Sequence, residues 1–230
     1  MTNETIDELI EGLWSNDSEN AIRSIKAIGE SALPALLIAL KKDDRNAEFV
    51  DFENGALRQA IIDIGEPAFQ KLVEALTPGS DLVRAAAKTL KRWGDSRAVD
   101  YLIAAMQNDA IDTNGRCYII DALGYFRDPK SFEPLIITLR HQNEYIKCHA
   151  ARSLAEYGDV SVMALIFDAL EGVNRKWWYG TSESIGEIVK LLQKKAIQSG
   201  KEEDFETCLN KIRDNHLEMV EEYEAWNHIG

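Results

Sequence analysis

Apolar residues recur along most of this chain at the spacing of an α-helix. In three segments they fall at i, i+3, i+4 and i+7, which places them on one face of a helix. The alternation of apolar and polar residues that marks a half-buried strand is absent. The pattern therefore predicts an all-α protein. The three stripes are Leu33, Leu36, Leu37 and Leu40; Phe69, Leu72, Val73 and Leu76; and Phe132, Leu135, Ile136 and Leu139.

A repeated unit occupies the middle of the chain. Each copy has a first half rich in Ala, Ile and Leu, a short turn, and a second apolar half that ends in Leu or Met. One such hairpin cannot bury its own apolar face, whereas neighbours stacked side by side can. We therefore expect about five helix-turn-helix repeats stacked into a solenoid. The five copies are residues 21–40, 56–76, 83–106, 115–139 and 146–170.

The turn within each copy places a glycine before an acidic residue. Glycine adopts the left-handed conformation that ends a helix. The acid that follows favours the N-terminus of the next helix, where the helix dipole is positive. The fourth copy departs from this pattern, because an arginine occupies the glycine position. The pairs are Gly29-Glu30, Gly65-Glu66, Gly94-Asp95, Arg127-Asp128 and Gly158-Asp159.

The segments outside the copies predict caps within a single domain of residues 1–230. Residues 1–20 form an N-terminal cap that contains an amphipathic helix over 1–14. Residues 171–230 form a C-terminal cap with a loop, a helix over 184–199 and one long acidic helix over 204–226. Residues 41–55 separate the first two copies, and the helical spacing of Phe49, Phe52 and Ala56 favours an extended first helix in the second repeat.

Charge and composition narrow the expected partners. The chain carries a formal net charge of −13, with 45% hydrophobic and 28% charged residues. Acidic proteins repel phosphate backbones and anionic membranes, so neither nucleic acid nor a membrane is an expected partner. No apolar run is long enough for a transmembrane helix. The acidic N-terminus does not match a secretory signal, so we expect a cytoplasmic protein.

Cysteine and histidine usage predicts neither disulfides nor a metal site. The chain has three cysteines without zinc-site spacing, and its four histidines are scattered. Cys117 and Cys148 fall in the same column of adjacent repeats, about 10 Å apart, beyond the roughly 7 Å that a disulfide spans. We expect both to be small buried thiols. No phosphate-binding or nucleophile motif occurs, so no catalytic residue is assigned.

Three sets of residues are candidates for contacts. The second helices of such a solenoid usually line its concave face, which is a binding surface. Exposed aromatic and Arg clusters dominate interfaces and also stack on planar ligands. Basic residues that recur at one repeat position are expected to form ion pairs between repeats. The concave-face candidates are Asp100, Glu133, Arg140 and Asp168; the aromatic cluster is Trp177, Trp178 and Tyr179 with Arg175; the basic column is Arg84, Arg116 and Lys147.

The copies resemble the HEAT-like repeats of the phycobilisome-lyase type. The likeness is carried by VRAAAKTLKRWGDSRAVDYLIAAM (83–106) and IKCHAARSLAEYGDVSVMALIFDAL (146–170). Both read as a β-branched residue, a base, an Ala-rich helix, Gly-Asp and an apolar helix. The resemblance covers residues 21–170 and implies an armadillo-like α-α superhelix. In the first two copies Glu30 and Glu66 replace the aspartate and the base is displaced.

Three functional hypotheses follow. The first is a non-catalytic scaffold or adaptor that binds a protein partner on its concave face, as one subunit of a hetero-oligomer. The second, implied by the resemblance, is a bilin lyase subunit or chromophore chaperone. Arg175 and the Trp177–Tyr179 cluster would then contact a tetrapyrrole bound beside an apo-phycobiliprotein. The third is a HEAT-like DNA glycosylase, against which the sequence pI of about 4.8 weighs.

Overall fold

The computed structural model describes residues 5–46, 55–171, 173 and 185–227. Within these ranges every regular element is a helix and no residue lies in a strand. The prediction of an all-α protein is therefore confirmed. Contacts divide the chain into two compact units, Met1–Gly115 and Arg116–Gly230. The prediction of a single domain stays a prediction.

In the first unit, successive helical hairpins pack through their first helices. The helices are α1 (Ile6–Gly12), α2 (Ser18–Ile28), α3 (Leu33–Asn46), α4 (Gly55–Ile64), α5 (Glu66–Glu74), α6 (Val83–Trp93) and α7 (Ala98–Met106), with a 3₁₀ turn at Gly29–Ala32. Helix α2 packs on α4, α4 packs on α6, and α5 contacts α7. Each hairpin thus contributes one helix to a row of first helices.

The second unit has the same kind of packing. Its helices are α8 (Thr113–Phe126, which belongs to this unit from residue 116 onwards), α9 (Pro129–Thr138), α10 (Glu144–Ala155), α11 (Met163–Leu170), α12 (Ile185–Gln198), α13 (Glu202–Ile212) and α14 (Leu217–Asn227), with a 3₁₀ turn at Val160–Val162. Helix α10 packs on α12, α12 packs on α14, and α11 contacts α13. The hairpin order therefore continues beyond residue 170, where the sequence repeat fades.

Small residues bring neighbouring first helices close together. A Cβ added to Gly124 on α8 would lie 2.6 Å from the Ser153 Cβ on α10. The Ser153 hydroxyl donates to the Ile120 carbonyl at 2.9 Å, across the same contact. Both residues are buried, so any added methyl group would push α8 and α10 apart.

All five turn residues have a positive φ: 70° at Gly29, 83° at Gly65, 73° at Gly94, 50° at Arg127 and 68° at Gly158. Gly94, with ψ of 12°, adopts the predicted left-handed conformation. Gly29 and Gly65 do not, because their ψ values are −141° and −142°. Arg127 keeps a positive φ without glycine. The acid after it, Asp128, caps α9 by accepting a hydrogen bond from the Lys130 amide at 2.9 Å.

One predicted helix was wrong, and another was predicted mainly from residues outside the described ranges. Residues 41–46 continue α3 rather than the first helix of the next hairpin, and Phe49 and Phe52 lie outside the described residues. The helix predicted over 204–226 is broken between α13 and α14. Asp214 and Asn215, which are poor helix formers, lie in the break. The His216 side chain that follows packs on Phe167 with ring centroids 5.6 Å apart.

Candidate binding surface

A cleft opens between α1 and α3 at the beginning of the first unit. Its volume is about 400 Å³, within the range of small-molecule and side-chain pockets. Trp14 and Ile38 line it, and each is more than half exposed. Asp7 and Lys42 give it a polar edge. The cleft thus combines two exposed apolar side chains with charged groups of both signs.

Buried ion pairs hold the end of α3 that forms one side of this cleft. Arg58 on α4 is 1% exposed and donates to Asp43 Oδ2 at 3.0 Å. Arg84 on α6 donates through Nε to Asp44 Oδ2 at 2.6 Å and through Nη2 to the Asp44 carbonyl. Because Lys42 immediately precedes these acids, the pairs fix the backbone at the edge of the cleft.

The predicted ion pairs of the basic column are confirmed at one position. Arg84 pairs with Asp44 on α3, the second helix of the hairpin two before its own. The other two bases make different contacts. Arg116 Nη1 lies 3.4 Å from His141 Nε2, and Lys147 Nζ donates to the Ala169 carbonyl at 3.4 Å.

Exposed apolar side chains recur at one register of the second helices in both units. Ile38 lies two residues before Leu40, the last buried apolar residue of α3, and Ile137 lies two residues before Leu139, which directly follows α9. Tyr101 and Leu165 lie five residues before the corresponding residue of α7 and α11. Positions three apart share one helix face. The buried reference residues are Leu40, Leu139, Met106 and Leu170; the exposed fractions are 58% for Ile38, 59% for Ile137, 47% for Tyr101 and 38% for Leu165.

The predicted concave-face residues are all exposed. Asp100 lies on α7 in the first unit, beside Tyr101. Glu133 lies on α9, and Arg140 follows that helix. Asp168 on α11 accepts a hydrogen bond from His216 Nε2 at 2.9 Å. The structure therefore shows exposed acids next to the apolar register and an internal partner for one of them.

The predicted aromatic cluster lies outside the described residues. This holds for Arg175, Trp177, Trp178 and Tyr179. The tetrapyrrole hypothesis depends on these side chains, so it stays a prediction.

A cluster that sequence reasoning missed joins α8 to α10. His149 Nδ1 lies 2.7 Å from Asp121 Oδ1, and the Cys117 side chain also hydrogen-bonds to His149. Burial alone would lower the pKa of His149, but the bonds to Asp121 and Cys117 outweigh it and raise that pKa to about 10. At neutral pH His149 is therefore an imidazolium between a carboxylate and a sulfur.

The signal for this cluster was present in the sequence. Cys117 and Asp121 are four residues apart, so they share one face of α8. His149 follows the Cys148 that occupies the same repeat column as Cys117. Both cysteines are buried free thiols, as predicted. The spacing of the histidines along the chain does not reveal that His149 on α10 contacts Asp121 on α8.

The described part of the chain contains neither a metal-binding cluster nor a membrane-spanning helix. No group of three or more His, Cys, Asp and Glu side chains there is arranged to hold a metal ion. No helix among these residues has both the length and the hydropathy needed to cross a membrane.

The described residues define an all-helical protein built from packed helical hairpins, with an apolar register exposed on the second helices. No protein-family model matches the chain, and no curated protein matches it either.

Proposed function

We propose that this protein is a non-catalytic interaction module, a HEAT-like solenoid that binds a protein partner along the exposed face of its second helices. The observation that carries the proposal is the apolar register formed by Ile38, Tyr101, Ile137 and Leu165. Single exposed apolar residues are common on protein surfaces. Each unit exposes two of them on second helices, and such recurrence is typical of surfaces that are covered in a complex.

The cleft between α1 and α3 supports an anchor point for that partner. Large apolar side chains that fill pockets supply much of the energy of protein interfaces. Trp14 and Ile38 offer an apolar wall, and about 400 Å³ is available between them and the neighbouring side chains. A leucine or aromatic side chain of the partner would displace water from both residues.

The charge of the same region selects the chemistry of the partner. Residues 1–20 contain six acidic and no basic side chains, and Asp7 of this segment lines the cleft. Acids flank the register elsewhere too, with Asp100 next to Tyr101 and Glu133 one turn before Ile137. Complementary charge steers association and excludes other partners. The partner segment is therefore an amphipathic helix with basic residues beside its apolar stripe.

A peptide titration tests the anchor. The probe is a synthetic amphipathic helix of Leu and Lys, and the control is a scrambled peptide of the same composition. Subtracting the emission of a Trp14→Phe variant from that of the wild type isolates the fluorescence of Trp14. We expect a saturable blue shift with the amphipathic peptide at micromolar concentration, because burial removes water from the indole. Equal shifts with both peptides, or no shift, would contradict the anchor.

Surface variants test the register with the natural partner. Ile137→Asp places a charge on α9 at a position that is 59% exposed, so the fold tolerates it. Tyr125→Asp is the matched control, because Tyr125 is 55% exposed but lies on the first helix α8. In affinity purification from the source cells, we expect a partner that wild type and Tyr125→Asp retain and Ile137→Asp loses. A partner retained equally by all three chains would overturn the proposal.

A further inference from the structure

A nucleophile, a base and an acid meet between α8 and α10. Cys117 and Asp121 lie one helical turn apart on α8, and His149 on α10 contacts both side chains. A sulfur next to an imidazole that a carboxylate orients is the arrangement in which thiols react fastest. The cluster lies between two first helices, whereas the exposed apolar register lies on second helices.

We propose that Cys117 is a site of oxidative modification, at which hydrogen peroxide converts the thiol to a sulfenic acid. Cysteines react with peroxide through an anionic sulfur, and the positive charge of an imidazolium beside the sulfur stabilises negative charge during the attack. Asp121 is a positioning residue, because its carboxylate holds the imidazole ring at Nδ1 and stabilises the positive charge there.

The step is balanced with groups that the cluster supplies. The Cys117 sulfur attacks one oxygen of peroxide, the S–O bond forms, and the O–O bond breaks. Sulfur is oxidised by two electrons and peroxide is reduced. The leaving hydroxide takes the proton from the His149 imidazolium and departs as water, which leaves a neutral imidazole beside Cys–SOH.

The burial of Cys117 limits the size of the oxidant that can reach its sulfur. Cys117 is 5% exposed, so a bulky electrophile cannot reach the sulfur without a change in helix packing. Hydrogen peroxide is little larger than water, and the neighbouring His149 and Asp121 side chains are each 15% exposed. A small oxidant is therefore the class of substrate that fits this cluster.

The other two cysteines are internal controls. Cys148 is 9% exposed and lies on α10, next in sequence to His149. Cys208 on α13 is more exposed than either. If exposure alone governed oxidation, Cys208 would react first and the two buried thiols would react at similar rates. The cluster predicts a different order, with Cys117 first.

The experiment exposes the folded protein to hydrogen peroxide, removes the peroxide with catalase, and denatures the protein with dimedone and iodoacetamide present. Peptide mass spectrometry then measures the remaining thiol at each cysteine. We expect Cys117 to be lost at least tenfold faster than Cys148, with a dimedone adduct at Cys117. In protein unfolded in urea before oxidation, the two rates should become equal. A Cys117 rate no higher than that of Cys148 in the folded protein would overturn the proposal.

Two variants identify the source of the reactivity. His149→Gln removes the cation and should lower the Cys117 rate to that of Cys148. Asp121→Asn keeps a side chain of the same shape and should lower the Cys117 rate several-fold. A Cys117 rate that is unchanged in folded His149→Gln would contradict the role of the imidazolium. If His149→Gln does not fold, the oxidation rates of Cys117 and Cys148 in the wild-type protein still test the proposal.

Discussion

The two units differ in the side chains that bind some of their aspartates at contacts between helices. In the first unit the acids at the end of α3 are bound by arginine, with Arg58 on Asp43 and Arg84 on Asp44. In the second unit, Asp121 is bound by His149 and Asp168 by His216. The ion pairs have a similar place in the fold, since each joins neighbouring helices, but their chemistry differs.

This difference makes the second unit the one that responds to pH. A guanidinium stays charged throughout the neutral range, so the arginine pairs are lost only when the carboxylates are protonated. An imidazole changes its charge within a range that its surroundings set. We therefore expect the stability of the first unit to stay constant across the neutral pH range, and the stability of the second unit to change with pH.

The largest expected effect is the loss of a buried arginine in the first unit. Arg58→Met removes the cation and leaves the mostly buried Asp43 without it, a change that typically costs about 3–5 kcal/mol. The midpoint of urea unfolding should fall accordingly. The double variant Arg58→Met/Asp43→Leu should recover most of the loss, because well-packed apolar residues replace a buried pair with little net cost.

An exposed pair in the same unit is the control for that experiment. Arg97 lies on the surface, where it pairs with Asp95 and Glu66 and stacks on Phe69 at 4.4 Å. Arg97→Met should leave the unfolding midpoint almost unchanged, because water screens an exposed pair. A larger loss for Arg97→Met than for Arg58→Met would show that burial does not govern these ion pairs.

The second expected effect is a decline in stability with rising pH in the second unit. The pKa of His149 is raised to about 10 from an ordinary value of 6.5. A raised histidine pKa adds stability in full below pH 6.5 and loses it as the pH rises towards 10. We expect the free energy of unfolding to fall on the order of 3 kcal/mol across this range from this residue.

The His149→Gln variant isolates that contribution. Its free energy of unfolding should change less between pH 6.5 and 9.5 than that of wild type, measured by urea unfolding at both values. Hydrogen exchange should locate the wild-type loss in α8 and α10 rather than in α4 and α6. Equal pH dependence in wild type and variant would disprove the assignment.

Much of the fold was predictable from the sequence, because helix periodicity and turn chemistry are local. The apolar stripes, the positive φ of the turn residues and the helix over 184–199 needed only residues close in sequence. The continuation of α3 did not follow from local pattern, since residues 41–46 include a run of five charged side chains. Its cause is distant in sequence, because Asp43 and Asp44 are bound from α4 and α6.

The candidate sites were less predictable for the same reason. Asp100, Glu133, Arg140 and Asp168 were correctly expected at the surface from helix phase. The apolar side chains beside them were assigned to no site, although Ile137 and Leu165 occupy the same outward faces. The Cys117–Asp121–His149 cluster requires the lateral register of two packed helices, which repeat spacing alone does not fix.

A third prediction compares a glycine at a close helix contact with one at an open position. Gly124→Ala should destabilise the second unit by about 2 kcal/mol, because the new methyl group would overlap Ser153 and overpacking outweighs the gain in helix propensity. Gly55→Ala in the first unit is the counterpart. Its Cβ would lie 3.5 Å from Arg92 Nη2, an ordinary contact, so stability should rise by at most about 1 kcal/mol. Thermal unfolding followed by circular dichroism measures both; equal shifts would mean that α8 and α10 separate freely.

The smallest expected effect comes from exchanging the turn residues between the units. Arg127 has φ of 50°, a conformation that is strained for a residue with a Cβ. Arg127→Gly removes this strain, while the greater freedom of glycine in the unfolded chain offsets part of the gain, so stability should rise by about 0.5–1 kcal/mol.

Gly94→Ala in the first unit is the reverse change. Its φ is 73° and nothing lies within 4 Å of an added Cβ, so the loss of about 1 kcal/mol would report backbone strain alone. Urea unfolding of both variants tests this, and a loss of stability in Arg127→Gly would show that the arginine side chain contributes more than its backbone conformation costs.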